Sequence, residues 1–124
     1  DVARGNMETA GVADRVDVRT GDLTEELDAL DDEGPFDVLT LDTGDAPTVV
    51  ERALDLLVSG GYLAVYSPFV EGTRDAVFAA REAGFEGIET LETIQREMDF
   101  SDRGSRPSTA GVGHTGYLVF ARAP

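Results

Sequence analysis

The chemistry this sequence can offer is concentrated at a few side chains that stand at the ends of apolar runs. Asp22 follows Gly21 after the alternating stretch Arg15-Val16-Asp17-Val18-Arg19-Thr20, and Asp42 ends the run Phe36-Asp37-Val38-Leu39-Thr40-Leu41. Tyr66 lies near the end of Tyr62-Leu63-Ala64-Val65-Tyr66-Ser67, while Arg106 and His114 fall in the polar tail. An ionised carboxylate accepts hydrogen bonds and donates none, so Asp22 and Asp42 are suited to selecting an amino group. The tyrosine ring supplies an aromatic face with a polar tip. Each residue also has a plain structural reading. Asp22 suits the N-cap of a helix beginning at Leu23-Thr24-Glu25-Glu26. Asp42 suits a turn before Thr43-Gly44, and Tyr66 suits an ordinary buried position. Arg106 can pair with one of many acids, and His114 can be a hydrogen-bonded structural histidine.

The elements that must position these groups are legible from periodicity and turn residues. Val2 to Ala10 reads as the end of a helix stopped by Gly11, followed by a short strand over Arg15 to Thr20. Leu23, Leu27 and Leu30 recur at helical spacing on an acidic segment, which Gly34-Pro35 breaks before a strand at Phe36 to Asp42. A helix over Thr48 to Val58 shares a face through Val49, Val50, Ala53, Leu54 and Leu57, with Gly60 expected as its left-handed end. A strand at Tyr62 to Ser67, a helix at Thr73 to Ala83, a strand at Ile88 to Arg96, a long loop from Asp99 to Gly113 and a last strand at His114 to Ala121 complete the chain. Strands alternating with ten-residue helices predict crossover units in a mostly parallel sheet covered on both faces. Two closing strands with no helix between them predict an antiparallel hairpin at one edge. In such a sheet, ligands bind outside the carboxyl ends of the strands, which is where Asp22, Asp42 and Tyr66 are expected.

Composition narrows the class. The 124 residues suffice for one domain. With no cysteine and one histidine there is no disulfide, and no metal site is expected; a reducing, cytoplasmic setting follows. No run reaches the length of a membrane span, so no membrane partner is expected. The sequence opens at Asp1 in mid-helical pattern, which suggests a longer upstream frame. Against 25 acids stand 10 bases, all of them arginine, for a net charge of −15. Such a charge repels itself unless salt screens it, which favours a salt-accumulating cytoplasm over a generic acidic protein. The acidic run Asp28 to Glu33 reads as a solvated face.

The order Gly-Asp, then Phe-Asp-Val-Leu-Thr-Leu-Asp, then Gly-Gly-Tyr-Leu-Ala-Val-Tyr resembles the later motifs of class I S-adenosylmethionine-dependent methyltransferases. Tyr66-Ser67-Pro68, and Arg106-Pro107 followed by Val112-Gly113-His114-Thr115-Gly116-Tyr117-Leu118-Val119-Phe120-Ala121-Arg122, are similar to the tRNA adenine-N1 methyltransferases that modify the T loop. The resemblance covers the whole chain and implies an α/β, Rossmann-like sheet with helices on both faces and a carboxyl-terminal antiparallel hairpin. Residues 1–124 would be the carboxyl-terminal part of the catalytic domain, without the first strands and the glycine-rich loop.

Under this resemblance Asp22 accepts from the exocyclic amine of the cofactor adenine, and the Leu23 backbone N–H meets a ring nitrogen. Asp42 is the implied catalytic residue at the mouth of the cofactor site, accepting from the target's 6-amino group and so stabilising the charge that develops. Tyr66 stacks on a flipped adenine, while Arg106 and His114 contact RNA. The cofactor is S-adenosylmethionine, leaving S-adenosylhomocysteine, and the implied partners are tRNA and further copies in a homotetramer. The family places a proline-containing stretch directly after the catalytic aspartate, whereas this chain has Thr43-Gly44-Asp45-Ala46-Pro47. A different class I methyltransferase acting on a small molecule or protein, and a non-catalytic subunit or oligomerisation fragment, remain as alternatives. In the family the Val16 strand pairs with strands ahead of residue 1, so its segment is expected to lack neighbours and the isolated chain to hold cofactor weakly.

Overall fold

The computed structural model describes residues 2–111, 113 and 116–124. The elements run α1 (Val2–Thr9), α2 (Leu23–Asp31), β1 (Phe36–Leu41), α3 (Ala46–Leu56), β2 (Leu57–Ser67), α4 (Val70–Ala83), β3 (Glu86–Thr93), β4 (Met98–Ser101), β5 (Gly104–Pro107) and β6 (Gly116–Arg122). Four strands form a mixed sheet in the order β1-β2-β6-β3. β1 and β2 are parallel, joined through the crossover helix α3. The closing strand β6 is inserted antiparallel between β2 and β3, so its neighbours are both the expected partner β3 and the inner strand β2.

Helix α3 forms because Ala46, Val49, Val50, Ala53 and Leu56 recur every three to four residues, and all five are buried. Helix α4 repeats the pattern with the smaller Ala76, Ala79 and Ala80, which let it lie close to α3. It stops at Gly84, whose φ of 96° suits a residue without Cβ. These helices cover Leu41, Leu63, Val65, Val119 and Ala121, the inward residues of three adjacent strands. On the opposite face Val38, Tyr62 and Leu91 are 56%, 47% and 44% exposed. Among the described elements α1 buries no residue. The expected helical cover is therefore met on one face, by the layer α2, α3 and α4.

The four-stranded sheet has one parallel and two antiparallel pairs instead of the mostly parallel arrangement expected, because β6 enters between β2 and β3; three local expectations also change. Residues 15–20 form no strand. No described strand lies beside them to complete a ladder, and the segment is held instead by side chains: Arg4 Nη2 donates to Val18 O at 2.7 Å, and Arg19 pairs with Asp17 at 2.7 Å and with Glu33. Gly60 does not end a helix. Helix α3 stops at Leu56 and the chain is already extended at Leu57, so Gly60, at φ 78°, sits inside β2. There the register jumps from Phe36 opposite Leu57 to Val38 opposite Tyr62. The extra residues loop out and bind the chain end, with Gly60 N donating to Ala123 O (3.0 Å) and Ala123 N to Gly61 O (2.9 Å). Finally, the expected loop 99–113 contains the hairpin β4–β5, tightly turned at Asp102-Arg103 with Gly104 at φ 134°.

Leu63 is fully buried between the helix layer and the sheet. Leu63→Ala is expected to lower unfolding free energy by about 2–5 kcal/mol, read as a fall in the urea midpoint with unchanged slope.

Candidate functional site

The site grows out of one stretch of register. β1 and β2 run parallel, and Leu41 stands opposite Val65. Both of these point into the core, so the next residue on each strand, Asp42 and Tyr66, points the other way and leaves the sheet at the same level. Asp42 is exposed and Tyr66 half-buried. Together with Thr43, Gly44, Ala46, Pro47, Val65, Ser67, Pro68, Phe69, Glu71 and Gly72 they line a cavity of about 570 Å³. The structure thus brings together the two residues assigned to the target base.

The walls are set by short-range chemistry. Thr43 O accepts from Ala46 N at 3.3 Å, and Thr43 Oγ1 accepts from Asp45 N at 3.3 Å, so the four residues 42–45 suffice to turn β1 into α3. Pro47 falls in the first turn of α3, where its fixed φ and missing N–H are tolerated. The proline displaced from the position after Asp42 therefore serves as a helix starter. On the β2 side, Ser67 Oγ accepts from Phe69 N (3.2 Å) and donates to Phe69 O (2.9 Å), and Thr73 Oγ1 donates to the same carbonyl at 2.9 Å. This ties the Ser67-Pro68-Phe69 turn to the start of α4. A Cβ on Gly72 would stand 2.9 Å from Ser67 Oγ, so a side chain there would displace that hydroxyl from its bonds to Phe69.

The cavity carries two carboxylates, Asp42 and Glu71, and among the described residues no cationic side chain lines it. Its other polar groups are the hydroxyls of Thr43, Ser67 and Tyr66. Such a lining favours a ligand bearing positive charge, with an aromatic wall to receive a flat or cationic group. Glu71, Gly72 and Phe69 were not signalled by sequence, because only the fold of the turn brings the first residues of α4 to the end of β1.

Asp22 and Leu23 lie elsewhere. Asp22 caps α2: its Oδ1 accepts from Thr24 N at 2.9 Å and from Thr24 Oγ1 at 2.6 Å. These bonds hold its carboxyl below the usual aspartate range, the Thr24 hydroxyl contributing most. Leu23 lines a separate recess of about 410 Å³ with Asp17, Arg19, Gly21, Glu26, Leu30, Glu33 and Phe36. Arg106 is exposed on β5, beside Arg103 in a third recess of about 510 Å³ that shares no residue with the Asp42 cavity. His114 lies outside the described residues. Among the described residues no cluster of three or more His, Cys, Asp or Glu could hold a metal ion, and no helix is long and apolar enough to cross a membrane.

No protein-family model matches the chain. It is 40% identical over 107 residues to the tRNA (adenine(57)-N(1)/adenine(58)-N(1))-methyltransferase of Methanocaldococcus jannaschii, which covers 86% of this chain and 36% of that protein. The chain thus spans about a third of the length of that curated relative. Among solved structures it is similar to a SAM-dependent O-methyltransferase of Thermotoga maritima, at a TM-score of 0.83 and 27% identity over 98% of this chain and 44% of the other. A tRNA (m1A58) methyltransferase of Aquifex aeolicus matches at a TM-score of 0.61 and 23% identity, over 70% of this chain and 35% of that one.

The cap at Asp22 has a pH signature. With its folded pKa depressed, its contribution is complete above the unfolded aspartate value near 4 and is lost as pH falls through the lower folded value. Asp22→Ala is expected to lower Tm at pH 7, with the difference from the parent chain closing as melts are repeated toward pH 2.

Proposed function

We propose, from the premise that this chain belongs to the class I methyltransferases and is related to the tRNA adenine-N1 methyltransferases, that it is the target-base half of such a catalytic domain. In this reading residues 1–124 are the carboxyl-terminal part of the domain, and the protein it belongs to methylates N1 of an adenosine in the tRNA T loop. The observation that carries the reading is the pairing of Asp42 and Tyr66 at the ends of adjacent parallel strands, over one cavity lined by carboxylates and hydroxyls.

S-adenosylmethionine supplies the methyl group in this class, and its sulfonium charge suits a cavity that carries Asp42 and Glu71. The chain's own residues then do the following. Adenine N1 carries an in-plane lone pair, so the chief requirement is alignment rather than a strong base. Asp42 accepts a hydrogen bond from the 6-amino group and offsets the positive charge that grows on the ring as N1 is alkylated. Tyr66 gives the extruded base a face on which to stack. Asp22 and Leu23 hold the cofactor adenine, a role compatible with the cap because one carboxylate has acceptor sites to spare. Arg106, with Arg103 beside it, and His114 contact RNA. The full protein assembles as a homotetramer in the cytoplasm.

The similarity to the Thermotoga O-methyltransferase supports a second reading, methylation of a hydroxyl on a small molecule. Both readings meet in one assay on the full-length protein, offered an unmodified tRNA transcript or catechol. The expected result is methyl incorporation into tRNA at adenine N1. Asp42→Ala should lower kcat about a hundredfold, and Asp42→Asn, which still accepts, should lose less. Methylation of catechol alone would replace the first reading with the second. Full turnover by Asp42→Ala would remove Asp42 from catalysis.

The charge of −15 supports a salt-rich interior. Raising potassium chloride from about 0.1 M to about 1 M shortens the Debye length from about 10 Å to about 3 Å. The chain is expected to melt several degrees higher at the upper concentration, and an unchanged Tm would argue for an ordinary acidic protein.

A further inference from the structure

β6 opens on Gly116, a poor residue for a strand because it adds backbone entropy and no packing. The usual reason for glycine is absent here. Six other described glycines have positive φ, and Gly116 is not among them, so its backbone is one that any residue can adopt. The space around it gives the reason. A Cβ at Gly116 would lie 3.0 Å from Cζ and 3.1 Å from Oη of Tyr66, and closer still to ring carbon Cε2. Gly116 is buried and the ring that crowds it belongs to the neighbouring strand. Tyr66 pairs with Leu118, which puts Gly116 on its diagonal, two residues along the same face. That is the position at which an aromatic ring covers a strand glycine.

This placement determines where the ring goes. Tyr66 borders the Asp42 cavity on one side. On the other it borders a smaller recess of about 370 Å³ shared with Thr93, Gln95, Gly116 and Leu118. Tyr66 thus lines both, with its ring over Gly116, and a side chain at 116 would displace that ring. We infer that Gly116 is a positioning residue for the reaction: its missing side chain seats the Tyr66 ring as the fixed wall on which the target base stacks. The inference rests on the stacking role proposed above for Tyr66.

The test is a cycle of Gly116→Ala against Tyr66→Phe and Tyr66→Ala. In thermal melts of the 124-residue chain, Gly116→Ala should lower Tm in the parent and in the Tyr66→Phe background. It should be neutral where Tyr66→Ala has removed the ring. In the full-length protein with a tRNA transcript, Gly116→Ala and Tyr66→Ala should each reduce kcat at least tenfold while KM stays within twofold, and the double variant should be no worse than either. Equal Tm losses in all three backgrounds, or multiplicative losses in kcat, would overturn the assignment of Gly116. Parental kcat in Tyr66→Ala with the melting coupling intact would overturn the stacking role of Tyr66 and leave the steric pairing standing.

Discussion

The parallel pairing of β1 with β2 is the contact on which the rest of this structure depends. Parallel strands need a crossover, and α3 supplies it in eleven residues while burying its apolar stripe over the two strands it connects. Because the strands run the same way, their carboxyl ends open at one edge. Because Leu41 and Val65 are both drawn into the core under α3 and α4, the residues that follow them are forced outward together. The position of Asp42 beside Tyr66 is thus a by-product of hydrophobic burial one residue earlier on each strand. A slip of β1 by one residue against β2, which β6 holds in place, would send Asp42 into the helix layer and leave Leu41 in water.

The antiparallel strand β6 adds a second layer of control. It fills the gap between β2 and β3, so the ends of two chain segments far apart in sequence, Tyr66 and Gly116, meet across one ladder. The same strand fixes the far end of β2, where Gly60 and Gly61 loop out of register to bind Ala123, and Arg122 lies over the Tyr62 ring at 4.6 Å. β2 is therefore clamped at both ends, by the Ser67 turn at the site and by the chain terminus opposite. That clamping holds the backbone beneath Tyr66, and Gly116 leaves room for its ring.

The first twenty residues behave differently. α1 buries none of its described residues, residues 15–20 form no ladder, and among the contacts that hold them are surface ion pairs and the bond from Arg4 to the Val18 carbonyl. Such contacts are screened by salt and individually small. Arg19 is shared between Asp17 and Glu33 at the surface. The recess holding Leu23 is accordingly separate from the Asp42 cavity, and the described elements do not join the two halves of the proposed site.

What the sequence determined by itself was the succession of elements and the residues at strand ends. Period-two and period-3.6 patterns are local properties, so β1, α3, α4 and the strand cores could be read directly, as could the tail whose resemblance pointed to a methyltransferase. The cap at Asp22 was likewise legible, because a carboxylate before Leu-Thr-Glu-Glu acts within two residues. Tertiary structure alone decided the rest. Whether Val16 joins a sheet depends on a neighbouring strand, and none of the described strands lies beside it. Gly60 looked like a helix end because a left-handed glycine marks both caps and bulges, and only the register against β1 tells them apart. Glu71 and Gly72 entered the cavity because the Ser67 turn folds α4 back over it. Gly116 was one glycine among fourteen in the sequence; its meaning came from a tyrosine fifty residues away whose ring occupies the space where a side chain would be.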